Sequence, residues 1–481
     1  MHGRSSLLMF ERRVESEGQR DFWILAGELP EATPDGFYRR VNATLEKIGF
    51  AREVWAICES AYADASRGGR HGIDPVVYLK MLTVGFFENL PSQRAIASRC
   101  ADSLSIRGYL GYSLTESTPD HSSMTVIRDR LSVEQLEAIH RVLLKALRAH
   151  GLLRGRKLGI DSSVIEANAS LRALESRNTA ESYWDYVKRL AEAAGIDSND
   201  MKAVRRFDRQ REGRKTSNQE WQNPHDPEAK VGRTKDGACD MIYKPEHVTD
   251  LESGAIVRVE VRPGDAADND GTLCERVMEA VATLSEVAPE VPVEKLGREL
   301  CGDEGYFAIE QIAQLQSCAI RTIIADPQWR QRKPERASAE HRSALSRATR
   351  AIKSRRGKAL LRARGEHLER SFCHVLDHGG LRRATLRGSQ KLTKRQLGGA
   401  FAYNLSLLLR QLFGVGTPKQ ALAKGLCGLL ATLCELIKRL VNSKRLSSNR
   451  ENAVRRFLAS SDQAPSLSLA STPMSRFSTG C

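Results

Sequence analysis

KLGIDSSVIEANAS, residues 157–170, decides how the rest of the chain is read. Leu158 and Ile160 predict a short apolar strand that delivers Asp161 at its exit. Ser162 and Ser163 follow before the chain turns polar. A carboxylate just past the apolar part of a strand is held rigidly while still facing solvent or a ligand. The arrangement recurs in LGRELCGDEGYF, residues 296–307, where Asp303 precedes Glu304 and Gly305. A third acidic place lies in RGEHLERSF, where Glu366 and Glu369 stand three apart with helical spacing. Two strand-end aspartates and a helix-borne glutamate suggest a divalent-metal carboxylate site. The bland alternative is that they belong with the other acidic residues, 59 in all, most of which only solvate a surface.

The elements around these aspartates alternate. After the strand at 157 comes a polar stretch, 170–235, with one helix pattern over 180–194 and a charged run, RRFDRQREGRKTSNQEW, that reads as exposed. Strand patterns follow at 238–243, 247–250 and 255–263, with Glu252-Ser253-Gly254 as the hairpin turn between the last two. A helix over 272–288, the second aspartate strand, a helix over 308–315 and a strand over 318–324 continue the order. The pattern predicts an α/β core: a mixed sheet with helices on both faces, the layout of an RNase H-like fold.

Residues 50–150 read differently. Helical patterns begin at Arg52, at Asp74-Pro75, at Ser92, near Ser122 and at Ser132, with Asp74 a plausible N-cap. This predicts an all-helical N-terminal domain suited to DNA binding or to oligomerisation. Asp120, His121, Ser122 and Arg128 form a polar cluster at a loop-to-helix entry that capping alone would explain.

At 481 residues with a formal net charge of +15, the chain has room for several domains and calls for a polyanionic partner, most simply nucleic acid. Between 328 and 365 stand thirteen lysines and arginines against two acids, with few apolar residues to bury. Arg355, Arg356, Lys358, Arg362 and Arg364 close this tract. A second run over 379–395 holds six basic residues and no acid, among them Arg382, Arg383, Arg387 and Lys391. Arg370 lies in the segment between the two tracts, beside the glutamates. Cations that meet phosphates release condensed counterions and bind in a salt-dependent way. The same tracts would also serve a DNA- or RNA-binding surface without chemistry. Ten cysteines show no metal-ligand spacing, and no run is long and apolar enough to span a membrane. Asn404, in the apolar helix pattern 399–410, reads as a buried hydrogen-bonding group or a polar residue of helix packing.

Taken as a set, these motifs resemble bacterial insertion-sequence transposases of the DDE class, over roughly 50–140 and 155–412. GIDSSVIEANAS is similar to the family's first-aspartate strand, CGDEGYF to its second motif, and HLERSFCHVLDHGGLRRATLRG with AFAYNLSLLLR to its third block. The resemblance implies that Asp161, Asp303 and Glu369 are the catalytic, metal-holding carboxylates. An arginine four residues ahead of the glutamate is frequent in the family. Arg362 stands so before Glu366, whereas Gly365 precedes Glu369, so Glu366 competes for the role. The resemblance further implies two Mg²⁺ ions (or Mn²⁺), terminal inverted repeats and target DNA as double-stranded partners, a homodimer or higher multimer, and a cytoplasmic, nucleoid-associated protein. The expected organisation is a lead-in over 1–50, a helical domain over 51–152, a catalytic domain over 153–412, a helical region over 413–458 and a disordered tail over 459–481. A metal-dependent nuclease without strand transfer, and a DNA-binding protein that has lost catalysis, are the alternatives.

Overall fold

In the computed structural model, residues 36–62, 72–212, 217–234, 236–328 and 338–424 are described. The first 35 residues, most of the helix read over 420–440, and the tail lie outside them. The chain divides into a unit ending at Ala421 and a second one, Leu422–Cys481. Fourteen α-helices and nine strands of the described residues lie in the first.

Seven helices come first: α1 (Phe37–Lys47), α2 (Phe50–Cys58), α3 (Pro75–Phe87), α4 (Gln93–Asp102), α5 (Leu104–Leu110), α6 (His121–Arg130) and α7 (Val133–Ala149). Their starts are set by side chains that accept orphan backbone N–H groups. Asp74 takes that of Val76, Ser92 that of Ala95, and Asp120 that of Ser123, so the Asp120 cluster does cap a helix. Ser132 and Gln135 form a reciprocal capping box on α7. The α3 sequence PVVYLKMLTVGFF is apolar all round and almost wholly buried, which makes it the centre of this layer. Residues 37–47 are no lead-in. Phe37, Tyr38, Val41 and Leu45 recur at helical spacing and are buried, Phe37 edge-on to Phe87 at 5.1 Å.

The sheet follows. β1 (Lys157–Ser162) and β2 (Ile165–Glu166) precede an insertion of β3 (Glu175–Ser176), α8 (Tyr183–Ala193), α9 (Met201–Gln210) and β4 (Trp221–Gln222). Part of the charged run thus forms α9 rather than a bare surface. Val204 and Phe207 pack there against Val187 and Ala191 of α8. Next come β5 (Lys230–Arg233), β6 (Cys239–Asp250), β7 (Ile256–Pro263), α10 (Leu273–Val287), β8 (Glu299–Cys301), α11 (Ile309–Ser317) and β9 (Arg321–Ile323). Two strands expected at 238–250 are one, and Pro245 does not break it. Its carbonyl accepts the Ser163 N–H at 2.9 Å, so its nitrogen faces that same flank, where β1 has already ended. No ladder bond to β7 is lost.

β6 is antiparallel to β1 and β2 on one edge and to β5 and β7 on the other. β1, β8 and β9 run parallel, giving the order β7-β6-β1-β8-β9 through a mixed sheet. Helices lie on both faces. A Cβ on Gly159 would sit 3.1 Å from Leu368 Cδ1, on one side of β1. Leu158 points the other way, to where Val281 of α10 packs beside Gly297.

α12 (Ala339–Lys353), α13 (Arg355–Phe372) and α14 (Ser389–Phe413) complete the unit. The first basic tract was read as having too little apolar surface to bury. Instead Ala344, Ala348 and Ala351 form a small-residue stripe that lets α12 pack closely on α11 and β9. Among the described residues no helix is long and apolar enough to cross a membrane.

α14 joins the helical layer to the sheet. Phe401 packs against Phe50, and Lys394 Nζ donates to the Arg128 carbonyl at 3.1 Å. On its other side Asn404 is fully buried. Its Oδ1 accepts the Ile256 N–H at 2.9 Å and its Nδ2 donates to the Ile256 carbonyl at 2.8 Å. His140 Nε2 donates to that same carbonyl at 2.9 Å. Burial holds the His140 imidazole down, to about 4, against the pull of that hydrogen bond. A neutral buried histidine stabilises fully above its unfolded value and loses that contribution as pH falls toward its folded one. Chemical denaturation from pH 7 to pH 4 should show stability falling below about pH 6.5. A His140→Gln variant should flatten the slope by up to about 1.4 kcal/mol per pH unit.

Candidate active site

The parallel pairing of β1 with β8 places Gly159 opposite Cys301, so Asp161 and Asp303 leave the sheet side by side at the carboxyl ends of adjacent strands. That end of parallel strands is where open α/β sheets place ligands. Arg364 of α13 joins the two. Its Nη1 donates to Asp161 Oδ2 at 3.2 Å, and its Nη2 lies 3.9 Å from Asp303 Oδ1. Leu368, one turn on, is buried over Gly159 and anchors the helix there. The surroundings raise the Asp161 carboxyl to about 6, chiefly through desolvation. Asp303 and Asp268 push it the same way, while Arg364 and the Ser162 N–H oppose them.

More acids and bases gather under this end. Ser162 Oγ donates to Asp268 Oδ1 at 3.1 Å. Glu246 of β6, directly across from Ser162, is buried and meets Arg262 at 3.3 Å and Arg276 at 3.2 Å. Tyr306, just past Asp303, donates to Glu246 Oε2 at 2.9 Å. Burial holds the Glu246 carboxyl above the usual range, against the pull of both guanidiniums. Asp270 pairs with the same two arginines. Sequence reasoning passed over this network: Glu246 and Arg262 lie in strands that carry other charges, Asp240 and Lys244 in β6 and Arg258 and Glu260 in β7, so neither stood out.

The glutamates stand apart. Glu369 is exposed on α13, and Glu366, also exposed, pairs with Arg370 one turn along. On a helix of 3.6 residues per turn, both lie well round from the face that carries Arg364 and Leu368. Among the described residues, no group of three or more His, Cys, Asp or Glu is arranged to hold a metal ion. Asp161 and Asp303 do supply hard oxygen donors of the kind Mg²⁺ prefers, turned toward one cationic group.

The second basic run does reach the aspartates' strand. Arg382 holds Asp377 through two bonds of 2.7 and 2.9 Å and donates to the Val164 carbonyl at 3.1 Å. Arg383 lies 3.4 Å from Glu166, and Arg387 donates to the Asn168 carbonyl at 3.1 Å. Backbone bonds between Glu166 and both Arg382 and Ala384 fix this alignment. Arg355, Lys358, Arg362 and Lys391 are exposed, and Arg356 turns to Glu299 at the opposite end of the strands.

Residues 28–130 match the family model described as Transposase domain (DUF772). The chain carries a transposase domain. The matched span takes in α1 to α6 and stops before the sheet. No curated protein and no solved structure matches the chain.

Glu246 offers a test of the supporting network. Removing it leaves Asp270 as the main carboxylate partner of two buried guanidiniums, so Glu246→Ala should cost about 1.5–3 kcal/mol in urea unfolding. Glu366→Ala, which breaks only an exposed pair, should cost under about 1 kcal/mol.

Proposed function

We propose that this chain is a DDE-class insertion-sequence transposase, which binds the terminal inverted repeats of its element and cuts and joins DNA strands. One observation carries the reading: Asp161 and Asp303 emerge together from adjacent parallel strands in a chain with a transposase domain. The order β7-β6-β1-β8-β9, with only the last three strands parallel, supports an RNase H-like core.

Asp161 and Asp303 would hold Mg²⁺, with Glu369, or Glu366 in its place, completing the set. Bound there, the metal would activate an attacking oxygen and stabilise the leaving one in line. The protein's own part is positioning. The two strands fix the carboxylates, and Arg364 balances their charge. Arg382, Arg383 and Arg387 line the chain leaving Asp161, where they suit a phosphodiester backbone. Hydrolysis would expose a 3′-hydroxyl, which would attack target DNA directly, with no covalent protein intermediate. Pairing of two element ends calls for a multimer.

A second reading rests on the glutamates: neither touches the aspartates, as in a descendant that binds DNA without cutting it. A cleavage and strand-transfer assay on labelled DNA carrying the element's ends, in Mg²⁺ and in EDTA, separates the two. Metal-dependent joining should vanish in Asp161→Ala and Asp303→Ala, and in one of Glu366→Gln and Glu369→Gln, with DNA binding retained. Cutting without joining would identify a nuclease. Tight binding of the ends without either reaction would identify the DNA-binding descendant.

Arg364 yields a separate measurement. Without divalent ions, Arg364→Met should leave two carboxylates facing each other and lower the melting temperature. Added Mg²⁺ should then raise it by more than in the parent protein, because the ion takes over the charge balance. Equal Mg²⁺ shifts in both proteins would show that the aspartates do not share a cation.

A further inference from the structure

The opposite end of the same strands is also built for charge. Lys157 of β1, Glu299 of β8 and Arg321 of β9 stand in one lateral row at the amino ends of the parallel strands. Glu299 is buried, and its two oxygens hold two arginines, Arg321 at 3.3 Å and Arg356 of α13 through Nε at 3.0 Å. Arg321 is fixed further by donating to Ser354 Oγ at 3.1 Å. Glu252 ties down Lys157 at 3.1 Å.

These groups line a cavity of about 400 Å³, together with Arg156 and Arg298. Five cations and two carboxylates face it, and the carboxylates already serve three of the cations. Arg156 and Arg298 are exposed and have no carboxylate partner among the described residues. A buried glutamate that holds two guanidiniums in place, flanked by two uncommitted ones, is a pre-organised receptor for an anion with several oxygens.

We propose that this cavity binds a backbone phosphate of duplex DNA, at the end of the sheet remote from Asp161 and Asp303. It forms a second contact point, separate from the carboxylate end, that holds a duplex without cutting it. The proposal deepens the DNA-processing reading and rests on it.

The test measures binding of a labelled 40-base-pair duplex, by fluorescence anisotropy over a range of salt. The proteins are the full-length parent, Arg156→Ala/Arg298→Ala, and a charge-matched control, Lys47→Ala/Lys145→Ala. Both arginines are exposed and have no carboxylate partner among the described residues, so the first variant should keep the parent's melting temperature. Each lost phosphate contact should make the slope of log K against log salt shallower by about 0.9, and weaken binding roughly tenfold at 0.1 M salt. The double arginine variant, which loses this one phosphate contact, should show about that change, and the control little. A parent that binds DNA, with an arginine variant no weaker than the control, would overturn the proposal and leave the DNA reading standing. A parent that binds no duplex would overturn both. Inorganic phosphate, titrated by calorimetry, gives the other arm. Phosphate heat lost in the arginine variant, with DNA binding unchanged, would assign the cavity to a free anion and overturn the DNA form.

Discussion

One side-chain amide holds the architecture together. Asn404, deep in α14, satisfies both main-chain groups of Ile256 at the start of β7, as a neighbouring strand would. Buried backbone groups must be paired, and the amide is the only uncharged side chain type that offers donor and acceptor in a planar fork. The other flank of α14 packs on the N-terminal helices, through Phe401 against Phe50 and Lys394 against the end of α6. The match to a transposase domain therefore falls on helices that α14 ties to the sheet carrying the aspartates.

That constraint leads to the site. With β7 fixed, β6 is registered against it, β1 against β6, and β8 against β1. Asp161 and Asp303 reach the same edge through this chain of ladders, and Glu246 beneath them comes from the same registration. Like charges this close need compensation, which Arg364 of α13 supplies to the aspartates and Arg262 of β7 and Arg276 of α10 supply to Glu246. The site is thus held by ion pairs between elements far apart in sequence, and its geometry depends on all of them folding.

The legible parts were those that local pattern governs. Asp74 and Ser132 announced helix starts, and the turn at Gly254 announced the β6–β7 hairpin. Leu158 and Ile160 placed Asp161 at a strand exit, and the motif around Asp303 did the same for its partner. Long-range pairing hid the rest. Nothing near Arg364 in sequence says that it faces Asp161, because that depends on how α13 lies across β1. The patterns at 238–243 and 247–250 read as two strands, because whether the missing N–H of Pro245 costs a ladder bond depends on where β1 stops. Phe37, Tyr38, Val41 and Leu45 formed a helical stripe in plain view, but the polar residues between them masked it. The alanines of α12 were overlooked because close packing needs small side chains as much as large ones.

One further property follows from α13. Arg356 sits at the amino ends of the parallel strands and Arg364 at their carboxyl ends, eight residues apart on a single unbroken helix. At 1.5 Å per residue they are spaced by about 12 Å along the axis. A helix packed over its length on a sheet resists stretching, so the separation acts as a fixed gauge. It corresponds to between three and four base-pair steps of duplex, at roughly 3.4 Å each. Whatever rolls or shifts this helix moves both arginines together.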